Sequence, residues 1–259
     1  MTEDLNHSTV NHAHSSIWRS KHIVKKDFWL IPIYLIASNV IPIILFALVF
    51  GIFFMFGYNN KRFISDESIL IIGSVIAEII ILLSFYSMHI RDHLIPLAIK
   101  RMRVVRKFIL IIILTYIVSL VMISLYDWLI QFLPPSLQYS ETQNQQLLEK
   151  MFENKLMLPF LFIDIVILTP IIEELLFRHL IIHELGKKIT YTVATILSVI
   201  LFAGAHMLSA SSPFEMGSYI IIAAGLAFVY IKSGMNLAVS ISLHILNNLI
   251  SFIGIVLTQ

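Results

Sequence analysis

The sequence predicts an all-α, polytopic membrane protein: a transmembrane helical bundle of about seven spans with a cytoplasmic N-terminus. Three observations predict it. Of 259 residues, 58% are apolar and 13% charged, against roughly 45–50% and 25% in soluble domains. That is about 150 apolar residues, which at about 20 per crossing fill about seven spans. Finally, they fall in long runs joined by short connections that carry most of the Lys and Arg. This composition excludes a soluble globular enzyme, a disordered chain and a collagen-like one. A net charge of +2 is too small for an electrostatic nucleic-acid surface. The absence of cysteine excludes disulfides, a thiol nucleophile, iron–sulfur clusters and cysteine-ligated zinc.

In chain order, residues 1–27 are polar and read as a flexible cytoplasmic tail. They hold His7, His12, His14 and His22, with no spacing that fixes a metal geometry. No apolar run begins before Phe28, so the tail is not read as a signal peptide. Residues 28–133 carry the N-terminal transmembrane helices, from the runs Phe28–Gly57, Ser68–Ser87 and Phe108–Tyr126. The first of these is interrupted by Pro32, Asn39 and Pro42. Residues 134–155 form a polar extracytoplasmic loop, too hydrophilic to span. Residues 156–259 form a core of four helices, from the runs Leu156–Ile182, Ile189–Ser209, Phe214–Ile231 and Met235–Leu257.

Lys and Arg in the connections set the orientation. With the N-terminus inside, Arg19, Lys21, Lys25, Lys26, Arg91, Lys100, Arg101, Arg103, Arg106, Lys107, Lys187, Lys188 and Lys232 face the cytoplasm. Only Lys61, Arg62, Lys150 and Lys155 lie outside, thirteen against four.

Ionisable groups inside spans are costly, which marks them for a functional reading. They are Glu78, Asp164, Glu173, Glu174, Arg178, His206 and His244, with His179 and His183 placed near a span end. Glu78 and Asp164 stand alone in sequence, as hydrogen-bonded carboxyls or as part of a proton path. Glu173-Glu174-Leu175-Leu176-Phe177-Arg178 puts three charges into six residues. Glu174 and Arg178 are four apart and can pair. Glu173 lies about 100° around the helix, leaving it free to act. The alternative is a buried ion network that only holds helices together. Further on, Phe202-Ala203-Gly204-Ala205-His206 places a histidine among small residues that permit close approach. In the last run His244 and Asn248 share a face, whereas Asn247 points elsewhere. A carboxylate base, two histidines and an amide are the parts needed to activate water and hold an oxyanion.

Glu173-Glu174-x-x-x-Arg178, then Phe202-x-x-x-His206, then His244-x-x-x-Asn248 resembles the CPBP family, the CAAX proteases and bacteriocin-processing proteins also called the Abi family of intramembrane endopeptidases. The resemblance covers about residues 155–259. The resemblance does not extend to the first three spans, and the eukaryotic prenyl-protein members have eight spans where seven are counted here. The resemblance implies hydrolysis of a peptide bond in a membrane-associated peptide or protein, in a cavity that opens to the cytoplasmic side in the prenyl-protein members. Glu173 resembles the general base, His206 the partner that orients water, and His244 with Asn248 the oxyanion-stabilising pair. Glu174 and Arg178 resemble the supporting ion pair, with Phe202 completing its motif. A divalent metal such as zinc is a possible cofactor, with Glu173, His206 and His244 as its ligands. A metal-free site is favoured because Asn248 is a poor zinc ligand.

Other intramembrane protease motifs are absent. There is no His-Glu-x-x-His (His179-x-x-x-His183-Glu184 has its Glu on the wrong side), no Gly-x-Gly-Asp and no Gly-x-Ser-Gly. Two other readings stay open: a non-catalytic regulatory or bacteriocin-immunity protein with the same core, and a small transporter using Glu78 and Asp164. The expected location is a bacterial cell membrane, with a secreted peptide precursor as substrate and no nucleic-acid partner. One conflict is built into the spans. With Ile182 as a span end, Glu173 and His206 fall in opposite leaflets. They meet only if the Leu156–Ile182 helix runs on past Glu184 or the next helix starts well into the cytoplasm.

Overall fold

The computed structural model describes residues 20–56 and 65–258. Three of the four tail histidines, together with Arg19, Lys61 and Arg62, lie outside the described residues.

Among the described residues the chain is all helix, with no strand. α1 is Leu30–Met55, entered by a 3₁₀ turn over Lys25–Trp29, and α2 is Asp66–Met88. α3 is Leu94–Ile130, whose first part, Leu94–Val105, carries Lys100, Arg101 and Arg103, three of the basic residues expected in the connection. α4 is the short polar helix Gln143–Met151. α5 is Lys155–Ile189, α6 Tyr191–Ala205, α7 Met216–Lys232 and α8 Leu237–Thr258. Among the described residues, six helices are long and apolar enough to cross a membrane. The seventh expected run, Ile189–Ser209, is the 15-residue α6. At 1.5 Å per residue it covers roughly 22 Å, short of the roughly 30 Å hydrocarbon layer. The protein is a multi-pass membrane protein, and its outward faces fit: Leu35, Ile36, Ile43, Leu110 and Val121 are all exposed.

α5 is the central element. One core cluster joins it to α1 and α2 through Leu30, Ala77, Ile81, Phe85, Ile172 and Leu180. Another joins α3, α6, α7 and α8 through Ile112, Phe202, Ala223, Val229, Val239 and Leu243. Small residues set the spacing. A Cβ on Gly73 would lie 2.6 Å from the Pro42 backbone, so α2 seats against α1 only through glycine. On Gly217 a Cβ would collide with the Tyr126 ring, whose hydroxyl donates to the Phe214 carbonyl at 2.6 Å.

α5 is not a uniform α-helix. Phe162–Leu168 and Leu175–Leu185 are π-helical, separated by α-helical Thr169–Glu174. Pro170 lies between them. It lacks an N–H and crowds the preceding turn, so the ladder around it has to widen. In the π register a carbonyl accepts from the residue five ahead. For Ile165 that residue is Pro170, and the Asn248 side-chain amide donates to the Ile165 carbonyl instead, at 2.8 Å.

The tail read over residues 1–27 is anchored at its end, while Lys21, His22 and Lys25 stay exposed. Asp27 is fully buried, with His179 Nε2 at 2.7 Å and His89 Nε2 at 3.0 Å. His179, expected near the membrane interface, is thus a buried partner of the chain's N-terminal segment, with His183 half-buried beside it. The Val24 N–H donates to Glu184 at 2.7 Å.

Candidate active site

The leaflet conflict disappears in the α5–α6 hairpin. α5 runs past Ile182 and Glu184 to Ile189, and Thr190 alone turns the chain, at φ 79°. This left-handed conformation strains a β-branched residue; in return the Thr190 hydroxyl caps α6 by accepting from Val193 N–H. Glu173 stands sixteen residues before Ile189 and His206 fifteen after Tyr191. Near-equal counts on antiparallel arms, with the one extra α5 residue taken up by its wider π turns, bring them to a similar depth. Glu184 can lie inside the longer helix because Lys187 Nζ pairs with it (2.6 Å) and His183 Nδ1 hydrogen-bonds it (2.8 Å).

Glu173 meets both histidines. Its Oε1 is 3.9 Å from His206 Nε2 and its Oε2 is 3.5 Å from His244 Nε2. The Glu173 side chain is 15% exposed, yet Oε2 is buried and has no hydrogen-bond partner among the described residues. Both rings have the other nitrogen occupied. His206 Nδ1–H donates to the Phe202 carbonyl at 2.9 Å, and His244 Nδ1–H donates to Glu174 Oε1 at 3.1 Å. Each Nε2 is therefore the atom turned towards Glu173, by the same logic that orients metal-ligating and catalytic imidazoles.

Glu174 and Arg178 pair at 3.2 Å and are fully buried. Arg178 also donates to the Ala223 carbonyl at 3.1 Å, and its guanidinium lies 4.8 Å from the Phe202 ring centroid. Phe202 stacks on His206 (4.7 Å) and meets His244 at an angle (5.7 Å). One aromatic ring thus fixes three of the predicted site residues. On its far side His206 stacks on Tyr219 at 4.7 Å, and the Tyr219 hydroxyl bonds Thr142 at 3.0 Å.

Asn248 reaches the same cavity, but two of its amide's hydrogen bonds are already made: Nδ2 to the Ile165 carbonyl, and Oδ1 from Asn247 Nδ2 at 3.2 Å. The expectation that Asn247 points elsewhere is wrong. Both asparagines line the cavity, which is wide enough to wrap more than the 100° between them. The cavity, about 570 Å³, brings together Glu173, His206, His244, Asn247 and Asn248 with Phe202 and Thr169. Thr169 Oγ1 donates to Glu78 Oε1 at 2.6 Å, and Ser74 Oγ to Asp164 Oδ1 at 3.1 Å. Glu78 and Asp164, isolated in sequence, are neighbours in the fold.

Sequence reasoning missed Tyr219, Thr142 and Thr169. A tyrosine or threonine in an apolar run carries no spacing signal; only the register of α7 and the fold of residues 134–142 bring them in. His179, His183 and Glu184 are also close enough that one ligand atom from each lies within 4.8 Å of the others. They sit towards the opposite end of α5, where Glu184 is already held by Lys187 and by the Val24 N–H.

Residues 155–250 match the family model described as Rce1-like, type II CAAX prenyl endopeptidase Rce1-like. The stretch contains every motif residue named above, and it bears out the resemblance read from them. No curated protein and no solved structure matches the chain. The match supports a CAAX-type intramembrane endopeptidase in general terms, acting on a peptide or protein from within the membrane.

Proposed function

We propose that the Rce1-like core of this protein hydrolyses a peptide bond of a membrane-associated peptide or protein with water activated by Glu173 and His206. The observation that carries this reading is the buried Glu173 Oε2 without a hydrogen-bond partner, on a cavity-lining carboxylate whose two oxygens face two imidazole Nε2 atoms. Buried carboxylate oxygens are rarely left unpaired. The 3.9 Å gap between Glu173 and His206 is too long for a direct hydrogen bond. A water molecule accommodates both, giving one hydrogen to each.

In the reaction Glu173 takes a proton from this water as its oxygen bonds to the scissile carbonyl carbon. His206, tied by Nδ1 to Phe202, accepts the water's other hydrogen bond and aims its lone pair. His244, held through Nδ1 by Glu174, turns Nε2 into the cavity, where that nitrogen when it carries a proton donates to the developing oxyanion. The second Nδ2 hydrogen of Asn248 adds a donor. The C–N bond then breaks, Glu173 returns its proton to the leaving amine, and a carboxylate and an amine are released. Glu173, His206 and His244 also form the two-imidazole, one-carboxylate set that would hold a zinc ion, which when bound would polarise the scissile carbonyl. The metal-free route is preferred because Glu173 and the two histidines supply base, orienter and donor by themselves, and Asn248 in the next position is an amide. The isoleucine-rich, cysteine-free chain supports a bacterial cell membrane and a secreted precursor peptide as substrate.

The test is a cleavage assay on purified protein in lipid, with a library of lipid-anchored peptides and mass spectrometry of the new termini. Products carrying one added water, at a rate unchanged by a chelator, are expected. Loss to the chelator with recovery on adding zinc would replace the metal-free route. Intact peptides under every condition would leave the non-catalytic reading.

Asn248 and Asn247 separate binding from catalysis. Removing one oxyanion donor costs about 10²–10³ in turnover, so Asn248→Ala should lower kcat by that order with KM little changed. Asn247→Ala frees the Asn248 amide to rotate and should cost less, about tenfold. Equal losses, or losses confined to KM, would make the pair a packing element.

A further inference from the structure

The bundle has two chemically different ends, and the catalytic cavity belongs to one of them. At the first end Lys26 Nζ bonds the Met88 carbonyl (2.7 Å) and Asp92 (2.5 Å), Lys187 Nζ reaches the His22 carbonyl (3.3 Å), and Asn236 Nδ2 donates to the Arg101 carbonyl (3.1 Å). These bonds gather the start of α1, the α2–α3 turn, the first turns of α3, the end of α5 and the α7–α8 turn. At the second end Asn154 bonds Ser68 (2.9 Å), Ser212 bonds the Leu137 carbonyl (2.7 Å), and the Gln143 N–H donates to Glu215 (2.8 Å). There the polar 134–154 segment lies against the starts of α2 and α7.

Basic residues divide between the ends. Lys21, Lys25, Lys26, Arg91, Lys100, Arg101, Arg103, Arg106, Lys107, Lys187, Lys188 and Lys232 lie at the first, twelve among the described residues; Lys150 and Lys155 lie at the second. Arg178 is buried between. Short connections rich in Lys and Arg stay cytoplasmic. The cavity holding Glu173 and His206 is lined towards its mouth by Tyr139, Ser140, Glu141, Thr142, Asn144 and Gln145, all from the second end, and by no Lys or Arg.

We infer that the catalytic cavity is entered from the extracytoplasmic side. Its substrate class is then a peptide segment already translocated, or the outer end of a spanning helix, and not the C-terminus of a cytoplasmic prenylated protein. The substrate statement rests on the endopeptidase reading; the placement of the cavity does not.

The absence of cysteine makes the placement directly measurable. Asn144→Cys at the mouth and Lys188→Cys at the other end are both on exposed positions. In intact cells a membrane-impermeant maleimide should label Asn144→Cys and leave Lys188→Cys unlabelled until the cells are lysed. Ser251→Cys, deeper in the cavity, should react from outside with a small charged methanethiosulfonate. Where Asn144→Cys does not accumulate, Ser140→Cys reports the same mouth. Labelling of Lys188→Cys in intact cells, or of Asn144→Cys only after lysis, overturns the inference. Because labelling needs no turnover, an outward mouth on a protein that cuts no peptide would sink the endopeptidase reading and leave the placement standing.

Discussion

Glu173→Gln should leave the protein at its normal abundance and remove cleavage, with a loss of at least about 10³ in turnover. General-base catalysis contributes about 10²–10⁴-fold, and an amide in place of this carboxylate cannot take the water proton. The fold has little reason to respond. Glu173 makes no hydrogen bond among the described residues, and the two imidazoles nearest it lie at 3.5 and 3.9 Å. Gln keeps its length and volume. The measurement is kcat beside a thermal unfolding midpoint in detergent. An active Glu173→Gln protein would move the base elsewhere. A Glu173→Gln protein that is both inactive and unstable would make Glu173 a packing residue.

Glu174→Gln should do the opposite and reduce the amount of folded protein. It strands Arg178, fully buried and held by Glu174 at 3.2 Å, and breaking a buried pair costs about 3–5 kcal/mol. That is a large part of the roughly 5–15 kcal/mol by which proteins are stable. The double variant Glu174→Leu/Arg178→Met separates the two roles of Glu174. With both charges gone, abundance should recover, since apolar replacements of buried pairs are often neutral. Activity should stay down by roughly 10–100-fold, because His244 Nδ1 has lost the acceptor that sets its ring. Recovery of activity with abundance would show that Glu174 serves Arg178 alone.

Helical periodicity made a large share of this site legible. Four-residue spacing placed Glu174 on Arg178 and His244 on the face of Asn248, and the composition gave an all-helical membrane bundle. Hydropathy failed at a particular point. It ended the fourth long run at Ile182 because His183 and Glu184 look like an interface. Their cost is met locally by Lys187, so the helix continues by two turns, and those turns bring Glu173 level with His206. The Asp27–His89–His179 cluster and the Glu78–Asp164 pair were hidden for another reason. Their partners lie between 62 and 152 residues apart in sequence, and no local period links such groups. Asn247 was misplaced because a helical wheel assumes a narrow site, and this cavity covers a broad arc of α8.

The hairpin that closes on Thr190 works as a measuring device. Its two arms differ by a single residue between the turn and Glu173 or His206, so catalytic alignment is a property of chain length as much as of residue identity. One residue gained or lost in either arm displaces one partner by about 1.5 Å and rotates it by about 100°. A π turn is the form in which a helix absorbs a single extra residue without shifting what lies beyond it. The wide turns of Leu175–Leu185 thus hold slack on the α5 side, and the 15-residue α6, regular throughout, holds none. A single-residue insertion is accordingly absorbed more readily in the α5 arm than in α6.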